Sequence, residues 1–157
     1  MGRIWQIVPA KDEHIPHLAA CLREEDKREI WAAHRHLPEE ALRISLAASA
    51  LAWTCLIEGR PAFMWGVARA GSLLSDTGRP WLLSTPEIMR VKSAFARRCR
   101  GYVEQMQARF ARLENWVHAD NRAARRWLAW CGFTLAARPE IYGAGQEKFY
   151  RFWRNYV

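Results

Sequence analysis

Short apolar runs alternate along the chain with segments in which apolar residues recur every three or four positions. Each apolar run, rich in β-branched and aromatic residues, predicts a strand. These strands lie at residues 3–8, 53–57, 63–68, 80–84, 115–119, 133–136 and 147–153. The three-to-four-residue spacing predicts helices at 14–22, 38–51, 86–113 with a break near Val91, and 122–131. This order predicts one mixed α/β domain over residues 1–157.

Local residue chemistry marks several element boundaries. Residues 85–87, Thr-Pro-Glu, combine a helix N-cap, a Pro at the first helical position and an acid in the first turn. Asn121 can cap the last helix, and Gly132 suits the left-handed position just beyond its end. The charged stretch at residues 23–29 predicts a solvated turn or a short helix.

The segment from Trp116 to Phe133 carries the most informative pattern in the chain. A predicted strand delivers an Asn to the start of a helix, and that helix ends at Gly-Phe. Asn121, Ala124 and Gly132 fall at the spacings of the pattern N-x-x-A-x-x-x-Y-x-x-x-G-F. This resembles the C-terminal motif of the GNAT superfamily of N-acetyltransferases. The resemblance implies a GNAT-like fold: a mixed, mostly antiparallel central sheet with helices on both faces and splayed fourth and fifth strands.

The sequence departs from the superfamily pattern in two places. Many GNAT enzymes have a Tyr at the seventh position after the Asn, and Leu128 stands there in this chain. A Leu side chain has no proton to donate to a departing thiolate. GNAT enzymes also carry a glycine-rich loop after the fourth strand that holds the pyrophosphate of coenzyme A. Here residues 85–90, Thr-Pro-Glu-Ile-Met-Arg, contain no Gly.

A narrower resemblance accounts for these departures. Residues 81–86, the long basic helix and residues 113–128 look like the small GNAT-like proteins of tailed bacteriophages, among them the small internal virion proteins of T7-like phages. This resemblance covers roughly residues 60–153. It implies a phage or prophage origin, phage or virion proteins as partners, and a role in virion assembly or DNA delivery. The implied location is the cytoplasm of a host cell, with the virion as a second location.

The superfamily resemblance also implies a cofactor and a set of site residues. The cofactor is acetyl-CoA or coenzyme A, and the residues matched to its binding are Leu83, Ser84, Thr85, Asn121 and Ala124. His118, on the predicted fifth strand, is the candidate catalytic base. The alternative interpretation of Thr85 and Asn121 is that both are ordinary helix caps.

Composition and charge add a further hypothesis. The chain has 157 residues, a formal net charge of +8 and nine Trp residues. From Arg90 to Arg112, seven basic residues face the single acid Glu104. Such a surface attracts nucleic acid without sequence preference, or an acidic partner, although a solvated helix face explains it equally. No recognised nucleic-acid module accompanies the charge.

Other classes of protein are not favoured by the residues present. The longest uncharged stretch, residues 44–57, is shorter than the roughly 20 residues needed to span a bilayer, so we expect no membrane segment. The four cysteines form no C-x-x-C pair and are expected to be reduced core residues. His14, His17 and Cys21 share one helix face but lack a fourth ligand, so we expect no metal site.

Three functions therefore stand at this point. The first is a phage-encoded, virion-associated or assembly protein with degenerate acetyl-CoA motifs, supported by the two departures. The second is an active acetyl-CoA-dependent N-acyltransferase in which solvent replaces the missing Tyr, supported by the intact segment that begins at Asn121. The third is a basic nucleic-acid-associated protein, supported by charge alone.

Overall fold

An eight-stranded, mostly antiparallel sheet organises the fold in a computed structural model that describes residues 4–156. Its strands are β1 (Trp5–Pro9), β2 (Ser49–Ile57), β3 (Arg60–Arg69), β4 (Thr77–Ser84), β5 (Arg112–His118), β6 (Thr134–Leu135), β7 (Glu140–Tyr142) and β8 (Glu147–Asn155). The strands lie in the order β1-β2-β3-β4-β5-β8-β6, and β7 pairs with β8. Within the described residues, β4 and β5 form the one parallel pair. Of the predicted first strand, residue 3 lies outside the described residues.

Helices cover both faces of this sheet. They are α1 (Ile15–Cys21), α2 (Glu24–His34), α3 (Pro38–Ala48), α4 (Lys92–Arg109) and α5 (Arg122–Trp130). Alternate residues of β3 point to opposite faces. Met64 packs in the core cluster formed with α1–α3, whereas Phe63 and Trp65 pack in the cluster that contains Phe95 and Val103 of α4. The predicted mixed sheet with helices on both faces is confirmed.

The parallel strands β4 and β5 pair for only two residues and then diverge. Thr77 pairs with Arg112 and Gly78 with Leu113. Pro80 lies two residues after Gly78 in β4, and it has no N–H to donate to a neighbouring strand. Its carbonyl accepts a hydrogen bond from the Asn115 side chain at 3.0 Å, which bridges the start of the gap. The missing donor explains why the ladder stops at this point.

Several predicted boundaries require correction. Of the two alternatives for residues 23–29, the helix is confirmed and the solvated turn is wrong, because residues 24–34 form one continuous helix in which Asp26 is buried. Helix α3 ends at Ala48 rather than at residue 51, since the next residues already pair with β3. The predicted helix at 86–113 is a short 3₁₀ helix at Pro86–Arg90 followed by α4, with the expected break at Val91. Between the last two predicted strands, at 133–136 and 147–153, the structure has a further strand, β7.

Candidate functional site

A cavity of about 520 Å³ lies where β4 and β5 diverge. On one face of the sheet its walls include Ile30 of α2 and Ile44 of α3. On the other face they include Phe95 of α4 and Trp127 of α5. The cavity therefore reaches both faces of the sheet through the gap between the two strands. Beyond the two paired residues, the facing backbones of β4 and β5 no longer hydrogen-bond to each other, so groups that pair between strands elsewhere in the sheet can meet a ligand here.

Strand β4 presents part of its backbone edge to the cavity. The N–H and C=O of one strand residue point to the same side, and the side alternates along the strand. The Thr85 N–H donates to the carbonyl of Ala62 in β3 at 2.8 Å, so odd-numbered residues face β3. Pro80, Leu82 and Ser84 therefore face the gap. Because Pro80 has no N–H and Ser84 is bound by α2, the backbone of Leu82 is the part of this edge that faces the cavity.

Two acids on α2 bind the ends of the two diverging strands. Asp26 accepts a hydrogen bond from the backbone N–H of Ser84 in β4 at 2.9 Å. Glu29 accepts one from the backbone N–H of His118 in β5 at 2.6 Å. The spacing of three residues places both acids on the same face of the helix. Helix α2 thus supplies acceptors for two donors that have no partner strand.

Asp26 is held in place by Arg23. The Arg23 guanidinium donates to both carboxylate oxygens, at 2.9 and 3.3 Å, and its backbone N–H donates to the carbonyl of Ser84 at 2.9 Å. Burial raises the pKa of Asp26, and the hydrogen bonds and charge of Arg23 oppose that shift. The pair therefore fixes the start of α2 against the end of β4.

Glu29 lines the cavity, and its carboxyl group has a perturbed pKa. Burial raises the pKa of Glu29 from 4.5 to about 7, and the nearby Asp26 carboxyl adds to the rise. The His118 N–H and the neighbouring Asn121 and Arg23 side chains act in the opposite direction. A carboxyl group that titrates near neutral pH in a cavity has the properties of a general base.

The side chain of Asn121 joins the start of α5 to the cavity. It is 4% exposed, and its Oδ1 accepts a hydrogen bond from the Ala124 N–H at 3.3 Å, so it does cap the helix. Its Nδ2 is buried beside Glu29, but it forms no hydrogen bond of acceptable geometry with any described residue. Buried donors without partners are rare in native structures, and one that lines a cavity fits a polar ligand.

Solved structures match this chain over nearly its whole length. A ribosomal-protein-alanine N-acetyltransferase from Brucella melitensis is similar with a TM-score of 0.73 at 12% identity, covering 96% of this chain and 99% of that chain. An acetyltransferase of the GNAT family from Streptococcus pneumoniae has a TM-score of 0.66 at 14% identity, covering 97% and 99%. This chain has the GNAT acetyltransferase fold.

The likeness to GNAT structures is a likeness of fold. A ribosomal alpha-N-protein acetyltransferase in complex with coenzyme A is also similar, with a TM-score of 0.66 at 12% identity, covering 98% of this chain and 95% of that chain. No protein-family profile matches the sequence, and no curated protein sequence matches it.

The residues matched to the GNAT cofactor site divide into two groups. Leu83, Asn121 and Ala124 line the cavity. Ser84 and Thr85 are buried but do not line it, because their hydroxyls donate at 2.7 Å to the carbonyls of Thr85 and Ala62 respectively. The Thr85 hydroxyl also accepts from the N–H of Glu87, as the helix-cap interpretation predicts.

His118 reaches the site through its backbone rather than through its ring. Its Nε2 lies 2.8 Å from the Glu147 carboxylate, and its Nδ1 accepts a hydrogen bond from the Asp120 N–H at 3.1 Å. The ring does not line the cavity, and the backbone N–H is the group that binds Glu29. His118 as the catalytic base therefore remains a prediction, and the geometry favours Glu29.

Sequence analysis missed Glu29 because its segment was interpreted as solvated. Asp26, Ile30 and Ala33 recur at the i, i+4, i+7 spacing of a buried helix face, and all three line the cavity. Glu29 lies next to that face. This periodicity was the available signal, although it could not reveal that the face meets two strand ends.

The loop between β7 and β8 covers the end of α2. The N–H groups of Ala144 and Gly145 donate to the carbonyls of Ala33 and Ala32 at 2.9 and 2.8 Å. Carbonyls in the last turn of a helix lack partners within the helix, so the loop satisfies two of them. Tyr142, at the start of this loop, stacks on Trp116 of β5 with 4.4 Å between ring centroids. The loop thereby closes one side of the cavity.

Replacing Gly143 with Ala is expected to detach this loop from α2. Gly143 has a φ of 80°, and a Cβ there would lie 2.8 Å from the Cα of Ala33. Hydrogen exchange at the amides of Ala144 and Gly145 should become at least about tenfold faster. Gly59→Ala is the matched control, since its φ is 79° but no described atom lies within 4 Å of a Cβ there. Equal protection in the parent and in Gly143→Ala would contradict the close approach.

Neither a metal-binding cluster nor a membrane-spanning helix is present among residues 4–156. No group of three or more His, Cys, Asp or Glu side chains is arranged to hold a metal ion. None of the helices in this range is both long and apolar enough to cross a membrane.

Proposed function

We propose that this chain is an acyl-CoA-dependent N-acyltransferase in which Glu29 is the general base. The observation that carries the proposal is a carboxyl group whose pKa is about 7, in the wall of a cavity between two splayed strands of a GNAT fold. A base with a pKa near the working pH is both ionised and basic enough to remove a proton from an amine. Solved relatives of the fold, one of them a coenzyme A complex, add support.

The residues around the gap fit an acyl-CoA. The backbone N–H and C=O of Leu82 face the cavity and offer one donor and one acceptor to the amide groups of an extended ligand. The Nδ2 of Asn121 is a buried donor that lacks a partner among the described residues. Leu83 and Ala124 supply apolar contacts in the cavity wall. When bound, acetyl-CoA supplies an activated acyl thioester.

The chain's own residues then prepare the amine. The ionised Glu29 carboxylate accepts the proton of the incoming ammonium group, which leaves the nitrogen lone pair free to attack. The His118 N–H fixes the orientation of the carboxylate, and Asp26 keeps α2 against β4. Leu128 lines the cavity and has no proton to give, so solvent protonates the departing thiolate in this scheme.

Calorimetric titration with acetyl-CoA tests the proposal through Asn121→Ser. Ser is as good an N-cap as Asn, so stability should change by less than about 0.5 kcal/mol, while the amide donor is lost. We expect micromolar binding to the parent and binding about tenfold weaker in the variant. Absence of binding to the parent at millimolar acetyl-CoA would reject the transferase.

A scaffold role in a phage particle is the second proposal. Two observations favour it. Leu128 stands where many GNAT enzymes have a proton-donating Tyr. The N–H of Ser84, at the end of β4, already donates to Asp26 and is not free to bind a cofactor. In this case the protein binds phage or virion proteins, in the host cytoplasm or in the virion. Co-purification with intact particles, together with no acetyl-CoA binding, would support it. Acetyl-CoA turnover without any particle association would reject it.

The charge-based hypothesis of nucleic-acid binding remains a prediction. Two of the basic residues of α4 already make contacts within the protein. The guanidinium carbon of Arg98 lies 4.8 Å from the ring centroid of Trp5, and Arg100 donates to the carbonyl of Trp130 at 2.8 and 3.0 Å. DNA affinity that falls steeply between low and physiological salt would support the hypothesis.

A further inference from the structure

A cluster of one arginine and two histidines lines the same cavity as the acids of α2. It consists of Arg79 on β4 and of His34 and His36 at the end of α2, and all three line the cavity. The two imidazole rings are stacked with 5.4 Å between centroids. Arg79 lies on the α1–α3 face of the sheet, because it alternates in phase with Leu83, which packs in the cluster of that face.

This cluster lacks a carboxylate partner within the described residues. None of the ion pairs of residues 4–156 includes Arg79. The acid that follows the last parallel pair on β5 is Glu114, whose carboxylate binds Arg112 at 2.7 Å and Arg151 at 3.6 Å. Glu114 is thus bound by two other arginines, and Arg79 has no carboxylate partner in the described part of the chain.

The pKa of His34 reflects its position beside Arg79 and His36. Burial lowers the pKa of His34, and the charges of His36 and Arg79 lower it further. Both effects favour the neutral imidazole, so the guanidinium of Arg79 is the fixed positive charge of the cluster, and an anion beside it would be stabilised. The cluster is therefore a site for a negatively charged group of a ligand.

The cavity is polarised along β4. Asp26 and Glu29 bind the strand ends, whereas Arg79 lies near the start of β4, where the two strands still pair. Glu29 and His34, the histidine beside Arg79, lie five residues apart on α2, which corresponds to roughly 7.5 Å along the helix axis. An amine beside Glu29 and an anion beside Arg79 therefore belong to the two ends of one extended molecule.

We propose that the acceptor is a primary amine that carries a carboxylate or phosphate group at its far end, bound with its amine at Glu29 and its anion at Arg79. The proposal deepens the transferase function and rests on it for the reaction, but not for binding. A guanidinium binds either anion through two parallel hydrogen bonds. Polyamines place a second cation beside Arg79 and are rejected by charge repulsion.

The test compares 6-aminohexanoate with 6-aminohexanamide, which have the same length but differ in charge. Binding of each is measured directly by NMR shift titration, and thiol release from acetyl-CoA is measured with each as acceptor. We expect the carboxylate to bind about tenfold more tightly than the amide, a difference of about 1.4 kcal/mol. A ω-aminoalkyl phosphate of the same length then shows which of the two anions is preferred.

The variant Arg79→Gln identifies the anion site. The preference for 6-aminohexanoate should disappear in Arg79→Gln and persist in Arg109→Gln, because Arg109 is exposed like Arg79 but lies at the end of α4, outside the cavity lining. Equal binding of the carboxylate and the amide by the parent protein would overturn the proposal, as would a preference that survives Arg79→Gln.

The two readouts separate this proposal from the transferase function. Carboxylate preference in binding without thiol release would leave the anion site standing and reject the transfer. Thiol release that is equally fast with the amide would keep the transfer and reject the anion site.

Discussion

Replacing Glu29 with Gln is expected to lower kcat by at least about 100-fold, because the amide cannot accept the proton of the acceptor amine. The change is nearly isosteric, and the amide oxygen still accepts the His118 N–H. In the parent, kcat should rise with pH through about 7 as the Glu29 carboxyl loses its proton. This limb of the pH profile should be absent in Glu29→Gln. Steady-state kinetics between pH 5 and 9 measure both effects.

The same variant should be more stable than the parent at alkaline pH. Burial raises the pKa of Glu29 from 4.5 to about 7, so the folded state binds its proton more tightly than the unfolded state does. The free energy of unfolding of the parent therefore falls between about pH 4.5 and 7, as the carboxyl group ionises. At pH 8 the free energy of unfolding of Glu29→Gln should exceed that of the parent by about 3 kcal/mol.

Glu25→Gln is the matched control for both measurements. Glu25 is exposed on the same helix, and the substitution removes the same charge. It should leave kcat, the pH profile and the stability difference close to those of the parent. A parent-like kcat in Glu29→Gln would reject Glu29 as the base. A loss of activity with no change in the pH limb would instead indicate a positioning role.

Replacing Asp26 with Ala is expected to lower the free energy of unfolding by about 3 kcal/mol. The substitution leaves the Arg23 guanidinium, whose side chain is only 18% exposed, without its carboxylate. It also leaves the buried N–H of Ser84 without an acceptor. Each of these losses carries a desolvation cost that no new contact repays. Urea denaturation at pH 7 measures the change.

Asp26→Asn separates the loss of the acceptor for the Ser84 N–H from the loss of the charge opposite Arg23. Its side-chain oxygen can still accept the Ser84 N–H, whereas its NH2 group replaces the oxygen that accepts from Arg23 Nη2, so the charge and one hydrogen bond to Arg23 are lost. We expect about 1 kcal/mol of destabilisation, clearly less than in Asp26→Ala. If Asp26→Ala unfolds at the same urea concentration as the parent, Asp26 does not anchor α2 to β4.

Much of the fold was predictable because its signals are local. The cap at Thr85, the break at Val91 and the left-handed Gly132 each depend on residues a few positions apart. The Asn-to-Gly-Phe segment placed Asn121 at a helix start beside the cleft, as the structure has it. Pro80 ends the parallel ladder through its own chemistry, since it has no N–H.

The chemistry of the site was decided by contacts between distant residues. Glu29 acquires its raised pKa because α2 is packed over the gap, where its partner His118 lies 89 residues along the chain. The Asp26–Ser84 hydrogen bond spans 58 residues. In sequence both acids belong to a charged stretch; the spacing of Asp26 with Ile30 and Ala33 marks a helix face, but nothing local distinguishes Glu29 from exposed Glu25. The sequence by itself determined the elements and the cleft, whereas desolvation by tertiary packing decided which carboxyl group in that cleft titrates near neutral pH.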